Sequence, residues 1–382
     1  MKVVILFGNP IGDFYGGIST HIKYLTKYLS NYKDLNLVLL TFGEKNSTYK
    51  LNGMDYIELK RMKFGKLFYP FEIYYDLLRL TRIIKKINPD LIHIQSTSPN
   101  FSLFGIYMKK KYPILITIHG YYANEYKVQT GWRKIIYKLF CAPIEKYALS
   151  KIPNIIVLSP QIKNMINKIT SSKIFTVPNG IDLKYIQTIN SYEKKDGPTV
   201  FFLGYLTKGK GVEDLIKAIQ LVKNKIDNVH LFIGGIGSHM TNLKELVQDL
   251  DLKESVTFLG LLNEKEKFAY MKSMDVFVLP SYWESFPIVL LEAMACGKPI
   301  ITTNIGGNPH AVINGVNGFL VQPGNRDEIA EKLIYFFENK KFISKMGEES
   351  LKRASEFDWE IIAKQTREIY EKIAKCSCDE VI

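Results

Sequence analysis

Short apolar stretches alternate with longer amphipathic ones along the first half of this chain. The apolar stretches predict strands, and they cover residues 3–7, 37–42, 91–94, 114–118 and 155–158. Apolar positions at helical spacing predict helices, and they cover residues 17–32, 71–87, 131–149 and 161–169. Such alternation of strands and helices is typical of a parallel sheet that carries helices on both faces.

The alternation stops at a polar stretch, residues 191–198, and then restarts. The strands predicted in the second half cover residues 200–203, 229–233, 256–258, 276–279 and 299–302. The helices predicted there cover residues 212–226, 326–337, 342–353 and 359–374. A polar stretch between two such patterns indicates a domain boundary. We therefore predict an α/β fold with two Rossmann-like, doubly wound domains, residues 1–190 and 191–357, and a C-terminal helix and tail, residues 358–382.

The composition agrees with two folded domains. Of the 382 residues, 46% are hydrophobic and 23% are charged, which suffices for two cores and excludes extensive disorder. The four cysteines are too few for a disulfide framework. No histidine follows Cys376 and Cys378, so we expect no metal site in the tail. A reducing, cytoplasmic setting is expected.

The amino-terminal sequence predicts a strand and not a targeting segment. Its apolar run, residues 3–7, is shorter than that of a signal peptide and ends at Gly8. No stretch approaches the roughly 18 apolar residues of a membrane-spanning helix. We expect a protein that does not cross a membrane, although it can lie on one.

The net charge of +13 is concentrated in the first half of the chain. Residues 1–180 hold 26 Lys and Arg against 10 Asp and Glu, a balance of +16, and the remaining residues hold 25 against 28, a balance of −3. This asymmetry indicates an anionic partner for the first domain.

The most informative segment is residues 280–297. A strand ends before it, and a helix is predicted to begin near Ser285 as N-cap, with Pro287 in the first turn and Gly297 just after the last turn. The free backbone N–H groups at such a helix start suit a pyrophosphate. Glu284, in the same loop, is placed to accept hydrogen bonds from sugar hydroxyls.

Glu292 lies in the otherwise apolar run 288–296. A lone carboxylate in such a run is costly unless a polar partner satisfies it, and the hydroxyls of a ribose would do so. In the alternative interpretation, Glu284 caps the helix and Glu292 lies on its surface.

Further motifs accompany this segment along the chain. They are Gly16-Gly17, His119-Gly120, Pro178-Asn179-Gly180-Ile181-Asp182, Gly204 with Lys210-Gly211, Gly297-x-Pro299-Ile300-Ile301, Gly306-Gly307 and Gly315-x-Asn317-Gly318. These motifs and Glu284-x7-Glu292 occur in the order and spacing of the family-four, group 1 retaining glycosyltransferases of the GT-B fold. The chain resembles this family over nearly its whole length. The resemblance implies that the two domains face each other across a cleft and that the C-terminal helix returns to the first domain.

The resemblance also implies roles for individual residues. Catalytic roles fall to His119, which would line the sugar pocket, and Glu284, which would hold the donor sugar. The implied donor-binding residues are Gly16, Gly17, Lys210, Gly235, Ser285, Phe286, Pro287 and Glu292. The implied donor is a UDP- or GDP-sugar acting as substrate, with no cofactor and no metal, so Lys210 and helix N-termini would oppose the diphosphate charge. Attack on the same face of the sugar would keep its configuration.

Two positions depart from the family's pattern. Tyr205 stands where the family usually has an arginine that shares the diphosphate; Lys208 could partly replace it but lacks the bidentate fork. His310 stands where a glutamate is common. These departures indicate an altered donor geometry or weakened catalysis, and we favour the first. Three other histidines, His21, His93 and His230, have the spacing of core residues.

Cations and large apolar residues are interleaved in the first domain. These clusters cover residues 60–69, the end of the helix 71–87, residues 109–111 and residues 132–140. Their composition suits the interface of an anionic membrane, whereas nucleic-acid binding lacks an accompanying motif. The alternative is the ordinary helix surface of a lysine-rich chain. We expect a lipid-linked or glycan acceptor and a peripheral location at the inner face of the cell membrane.

Three other functions remain open from the sequence. The first is a transferase acting on a soluble acceptor, which leaves the basic clusters unexplained. The second is a nucleotide-sugar epimerase, against which Glu284 and Glu292 argue. The third is a non-catalytic nucleotide-sugar-binding protein, which Tyr205 and His310 would suit.

Overall fold

The computed structural model describes residues 1–9, 16–51, 53–62, 69–128 and 131–379. The basic stretch predicted at residues 60–69 therefore lies largely outside the described residues. The chain divides into two compact units. Unit 1 comprises Met1–Asn179 with Trp359–Ile382, and unit 2 comprises Gly180–Asp358.

Unit 1 contains a sheet of eight strands in the order β3-β4-β2-β1-β5-β6-β7-β8. The strands are β1 (Lys2–Leu6), β2 (Asn36–Gly43), β3 (Ser47–Leu51), β4 (Met54–Lys60), β5 (Leu91–Ile94), β6 (Ile114–Ile118), β7 (Asn154–Val157) and β8 (Lys173–Thr176). All neighbours pair in parallel except β3, which pairs antiparallel with β4. The sequence pattern did not predict this hairpin, because β3 is an exposed edge strand without an apolar face.

The helices of unit 1 lie between these strands and at the end of the chain. They are α1 (Gly17–Leu29), α2 (Tyr69–Ile87), α3 (Pro99–Met108), α4 (Tyr122–Val128), α5 (Gly131–Ile136), α6 (Ala142–Leu149) and α7 (Pro160–Ile166), and the last helix of the chain, Trp359–Asp379, also belongs to this unit. The single helix predicted over residues 131–149 is wrong in one respect: a π-helical turn, Tyr137–Cys141, separates α5 from α6. Pro143 lacks an N–H and cannot bond to the carbonyl of Leu139, which disrupts the regular ladder there.

The core of unit 1 joins the sheet to the last helix of the chain. Trp359 and Tyr370 on that helix are fully buried with Ile22 and Leu25 of α1. The ring planes of Trp359 and Tyr24 stack with their centroids 6.1 Å apart. Burial of such large aromatic side chains is a major favourable contribution to folding, so the C-terminal segment is an integral part of this unit.

Unit 2 contains a parallel sheet of six strands in the order β11-β10-β9-β12-β13-β14. The strands are β9 (Thr199–Leu203), β10 (His230–Gly234), β11 (Val256–Gly260), β12 (Val276–Leu279), β13 (Ile300–Thr303) and β14 (Gly318–Val321). The helices are α8 (Leu183–Gln187), α9 (Val212–Lys223), α10 (Met240–Asp249), α11 (Glu264–Ser273), α12 (Ile288–Ala295), α13 (Asn308–Ala311), α14 (Arg326–Glu338) and α15 (Lys341–Ala354), and α16 is Trp359–Asp379 of unit 1. Short 3₁₀ turns cover Lys208–Lys210 and Ser355–Phe357. The prediction of two doubly wound α/β domains is confirmed.

The units divide after Asn179, earlier in the chain than the boundary predicted after residue 190. The intervening residues pack within unit 2. There, the ammonium of Lys272 donates hydrogen bonds to the carbonyl oxygens of Ile186 and Ile189, at 2.7 and 2.6 Å. The polar stretch that suggested the boundary is therefore a surface segment of unit 2, exposed because it precedes the first strand of the sheet.

Each sheet has one strand where the strand order changes direction. In unit 1 this is β1, between β2 and β5, and in unit 2 it is β9, between β10 and β12. The loops that leave the carboxyl ends of such strands diverge and leave a crevice in which α/β proteins bind ligands. Lys210 follows β9, and Glu284 follows β12. The two charged candidate residues of unit 2 therefore follow β9 and its neighbour β12, at the point where the strand order changes direction. This point is called the switch point.

Candidate active site

The loop between β12 and α12 carries Glu284 at the carboxyl edge of the unit 2 sheet. Helix α12 begins at Ile288, with Pro287 as the N-cap residue, so the N-cap predicted at Ser285 is wrong. Pro287 itself is extended, with a φ of −74° and a ψ of 124°, so it lies outside the helix as its N-cap residue. The predicted end is confirmed, because Gly297 follows the helix with a φ of 66°.

Lys210 and Glu284 form an ion pair at the switch point. The ammonium Nζ lies 2.5 Å from Oε1 of Glu284, and the hydroxyl of Ser281 donates to the same oxygen at 2.8 Å. The side chains are 28% and 11% exposed, so the pair is partly shielded from water but still reachable. This arrangement places one cation and one carboxylate side by side, the carboxylate in the loop that leads into α12.

Close backbone contacts fix the loops after β9 and β13 against the loop that carries Glu284. A Cβ on Gly211, which has a φ of 68°, would lie 2.1 Å from the carbonyl oxygen of Pro280, and one on Gly306, with a φ of 46°, would lie 1.7 Å from that of Glu284. Glycine is needed at both positions because any side chain would force the loops apart. The N–H of Tyr282 also donates to the carbonyl oxygen of Gly209 at 2.9 Å.

Gly235 serves the neighbouring loop in the same way. It follows β10 with a φ of 121°, and a Cβ on it would lie 1.9 Å from the carbonyl oxygen of Gly204. The loops after β9 and β10 therefore pack backbone to backbone, beside the segment that carries Lys210.

The remaining predicted residues of this loop have distinct surroundings. Ser285 is buried, and its hydroxyl has no hydrogen-bond partner among the described residues. Phe286 is buried against His310 and Phe357, with ring centroids 5.4 and 5.6 Å away. Burial lowers the pKa of His310, and Arg353 lowers it further, so His310 is a neutral packing residue. The Ser285 hydroxyl and the indole Nε1 of Trp283 are therefore the buried polar side-chain atoms of this loop that lack a partner among the described residues.

Lys208, which could partly replace the missing arginine, differs from Lys210 in its surroundings. Tyr205, at the departing position, is 61% exposed. Lys208 is also exposed, whereas Lys210 is partly buried against Glu284.

Among the described residues, no group of three or more His, Cys, Asp and Glu side chains is arranged to hold a metal ion.

Glu292 is buried, and its partner is a residue that the sequence analysis missed. The ammonium of Lys267, on α11, lies 2.5 Å from Oε1 of Glu292, and the two side chains are 15% and 7% exposed. The premise that Glu292 is a lone carboxylate is therefore wrong, because the fold itself supplies a counter-ion. Lys267 also lies over the Phe268 ring, 4.6 Å from its centroid, which holds the lysine in place.

His119 lies at the carboxyl end of β6 in unit 1 and is half-buried. Its Nε2 is 2.7 Å from Oε1 of Gln95, which follows the adjacent strand β5. The ring of His21 packs edge-on against it, with centroids 4.6 Å apart. Burial, with smaller contributions from His21 and His93, holds the pKa of His119 well below its usual value. His119 is therefore a neutral imidazole near neutral pH.

The other histidines predicted to be core residues are buried. Nδ1 of His21 lies 2.8 Å from Oδ1 of Asn179, and burial lowers the pKa of His21 to about 4. Burial lowers the pKa of His93 to about 3 and that of His230 to about 4. The contact of His21 with both Asn179 and His119 is not evident from the sequence pattern.

Glu145, in unit 1, is another buried ionisable residue that the sequence pattern did not identify. It accepts hydrogen bonds from the Thr97 hydroxyl at 2.6 Å and from the backbone N–H of Tyr122 at 2.8 Å. It thereby ties the loop after β5 to the loop that carries His119. Burial raises the pKa of Glu145 to about 8. Its signal in the sequence is weak, because one acid in an amphipathic helix is usually exposed.

Gly16 and Gly17 precede α1, and both are exposed. Gly16 has a φ of 154° and ψ of 158°, a conformation that is accessible in practice only to glycine. A Cβ on either residue would meet no described atom within 4 Å. Within the part of the chain that the structure describes, nothing blocks an approach to the backbone here, as the predicted contact with a phosphate requires.

The two parallel-sheet α/β units have the GT-B fold. Sucrose-phosphate synthase from Thermosynechococcus elongatus superposes with a TM-score of 0.85 at 22% identity, covering 98% of this chain and 99% of that one. The family description "Glycosyltransferase Family 4" matches residues 15–185, and "Glycosyl transferases group 1" matches residues 186–353. The chain belongs to the family 4, group 1 glycosyltransferases.

Relatives with similar sequences carry related names. An uncharacterized glycosyltransferase of Methanocaldococcus jannaschii is 27% identical over 376 residues, covering 97% of this chain and 98% of the relative. The UDP-Gal:alpha-D-GlcNAc-diphosphoundecaprenol alpha-1,3-galactosyltransferase of Escherichia coli is 29% identical over 288 residues, covering 69% of this chain and 70% of the relative.

Proposed function

We propose that this glycosyltransferase is a retaining enzyme that moves a sugar from a UDP- or GDP-sugar to a lipid-linked or glycan acceptor at the inner face of the cell membrane. The observation that carries the proposal is the Lys210–Glu284 pair at the switch point of unit 2. A nucleotide sugar has an anionic diphosphate next to a ring of hydroxyls, and this pair offers a cation for the first and a carboxylate for the second.

The chemistry follows from the charge that develops during transfer. As the bond between the anomeric carbon and the diphosphate oxygen breaks, negative charge grows on the leaving phosphate. Lys210 and the N–H groups at the start of α12 oppose that charge and are held in place beforehand by the packed glycine loops. The acceptor oxygen attacks the same face of the sugar, and its proton passes to the leaving phosphate, so the configuration is kept without a second carboxylate.

The acceptor side of the proposal rests on exposed apolar surface in unit 1. Large apolar side chains on α5 and the π-helical turn are exposed, and they are Trp132, Ile135, Ile136, Leu139 and Phe140. Helix α2 also exposes Phe71, Tyr74, Tyr75 and Leu78. Lysines 134 and 138 lie among the first group, a combination that suits an anionic bilayer interface. None of the described helices is long and apolar enough to cross a membrane.

The name of the E. coli relative supports the same acceptor class, since it includes a diphosphoundecaprenol. Its name also specifies a UDP-sugar donor. A transferase acting on a soluble acceptor shares the donor site but gives no reason for the exposed aromatic residues.

Replacing Lys210 with methionine should weaken the binding of UDP or GDP about 10- to 100-fold, because a charge-assisted contact to phosphate contributes about 1.5–3 kcal/mol. Calorimetric titration of the free nucleotides measures this loss. Lys253→Met is the matched control, since Lys253 is exposed and precedes β11 at the amino end of the sheet. Equal affinity of Lys210→Met and the control would remove Lys210 from the donor site.

The protein should sediment with anionic phospholipid vesicles at low salt and dissociate as salt rises, because lysines near such a surface each contribute about 1 kcal/mol and are screened by ions. Replacing Trp132, Leu139 and Phe140 with serine should release it. Leu351→Ser, at an exposed leucine of α15 in unit 2, is the control that should bind normally. Failure of the unmodified protein to sediment at low salt would overturn the membrane part of the proposal.

A further inference from the structure

A chain of polar side chains crosses the apolar core of unit 1 and ends at His119. The hydroxyl of Tyr370, on α16, lies 2.7 Å from Nδ1 of His93, and Nε2 of His93 lies 2.7 Å from the hydroxyl of Thr117. The amide nitrogen of Gln95 lies 3.2 Å from Nε2 and 3.4 Å from Nδ1 of His93, and its amide oxygen lies 2.7 Å from Nε2 of His119. Polar groups buried in this way are normally fully paired, so each member restricts the next.

The strand geometry explains why these residues meet. His93 and Gln95 are two positions apart at the end of β5, and Thr117 and His119 are two positions apart at the end of β6. Side chains at such a spacing point to the same face of a sheet, and β5 and β6 are adjacent and parallel. Four polar side chains therefore share one face, against which α16 places Tyr370.

The orientation of Gln95 determines where the proton of His119 lies. An amide oxygen only accepts hydrogen bonds, and an amide nitrogen only donates them. In the structure the amide oxygen of Gln95 faces His119, and in that orientation the Nε2 of His119 carries the proton. No described residue hydrogen-bonds to the other ring nitrogen, Nδ1, whose lone pair is then available.

His21 completes the arrangement by fixing the plane of the ring. It packs edge-on against His119, and Asn179 holds it from the other side. A ring that is bonded at Nε2 and flanked by a second ring cannot exchange its two nitrogens by flipping without breaking both contacts.

We propose that Gln95 is a positioning residue that holds His119 as the neutral Nε2–H tautomer, so that Nδ1 accepts a hydrogen bond from a hydroxyl of the bound sugar. The assignment of the sugar as partner rests on the proposed function, whereas the tautomer does not. In a metal-free imidazole the nitrogen that bonds to a neighbour decides which nitrogen serves the ligand.

Long-range 1H–15N correlation spectra of protein labelled at its six histidines test this directly. His119→Gln identifies the resonances of His119 by their disappearance. We expect a protonated-type signal from Nε2 and an unprotonated-type signal from Nδ1 in the unmodified protein. Gln95→Glu, which keeps an acceptor, should preserve that pattern, and Gln95→Met, which removes it, should give a mixture of tautomers.

The control is Thr41→Val, which removes a buried hydrogen bond to Tyr56 in the same sheet. Neither residue belongs to the series of polar side chains that ends at His119. This variant should leave the His119 signals unchanged. A proton on Nδ1 in the unmodified protein, or an unchanged pattern in Gln95→Met, would overturn the proposal. If Gln95→Met does not fold, the spectrum of the unmodified protein still decides.

Measurements of donor turnover distinguish a failure of the proposal on Gln95 and His119 from a failure of the proposed function. With an active donor, Gln95→Met should lower kcat about tenfold or more, a loss of about 1.4 kcal/mol, while Gln95→Glu retains more of the rate. An unchanged kcat would overturn the role of Nδ1. If no nucleotide sugar is turned over but the spectra show the Nε2–H tautomer, the proposed function fails and the tautomer assignment stands.

Discussion

Glu284→Gln is expected to lower kcat about 100- to 1,000-fold with little change in stability, because glutamine matches the shape of glutamate but carries no charge. In the structure the carboxylate oxygen Oε1 receives both the Lys210 ammonium and the Ser281 hydroxyl. A neutral amide leaves the lysine without its counter-ion and accepts more weakly from a sugar hydroxyl. Both the donor sugar and the cation that opposes the leaving phosphate are then misplaced.

Initial rates of nucleotide release at saturating donor measure this effect. Glu331→Gln is the control, because Glu331 is an exposed glutamate of α14 in the same unit. Circular dichroism shows whether each variant has folded. Loss of less than about threefold in Glu284→Gln, with the control at full activity, would mean that Glu284 has no role in the transition state.

Lys267→Met is expected to destabilise unit 2 by about 3–5 kcal/mol, because it leaves Glu292 buried without a counter-ion. The effect is large since both side chains are mostly shielded from water. Replacing both residues, in Lys267→Met with Glu292→Met, should recover much of the loss, as the remaining buried charge is also removed.

Urea denaturation of the single and double variants measures these differences. Lys332→Met is the matched control, because Lys332 pairs with the exposed Glu331 and such surface pairs contribute at most about 1 kcal/mol. If Lys267→Met is as stable as this control, the pair is not a structural element. In that case Glu292 would be left to the ribose that the sequence analysis assigned to it.

Much of the fold could be predicted because its strands are fully buried. The strands Leu91–Ile94, Ile114–Ile118 and Val276–Leu279 coincide with their predicted ranges. Strands covered on both faces read as unbroken apolar runs, so the pattern identifies them without any tertiary information. Strand β3 gives no such pattern, because it is an exposed edge strand and needs no apolar face.

Helix boundaries were harder because local chemistry competes with periodicity. Ser285 is a good N-cap by residue type, yet Pro287 delays the helix to Ile288. Such competition is decided by backbone conformation, which residue type alone does not fix.

The candidate site was predictable only in part. Lys210 and Glu284 each follow a strand next to the switch point, and their pairing could be anticipated from that position. Lys267 and Gln95 could not be found in this way, because their partners Glu292 and His119 are joined to them only by the packing of different elements. A long-range polar contact leaves no periodic signal in the sequence.

Release of nucleotide from a panel of UDP- and GDP-sugars, with and without membrane lipid extract, tests the transferase assignment most directly. We predict release from at least one donor, stimulation by the lipid extract, and a sugar-containing lipid product with the anomeric configuration of the donor. Interconversion of the donor sugar without release of nucleotide would instead indicate an epimerase. No turnover of any donor, despite tight binding of the nucleotide, would contradict a catalytic role and indicate a binding protein.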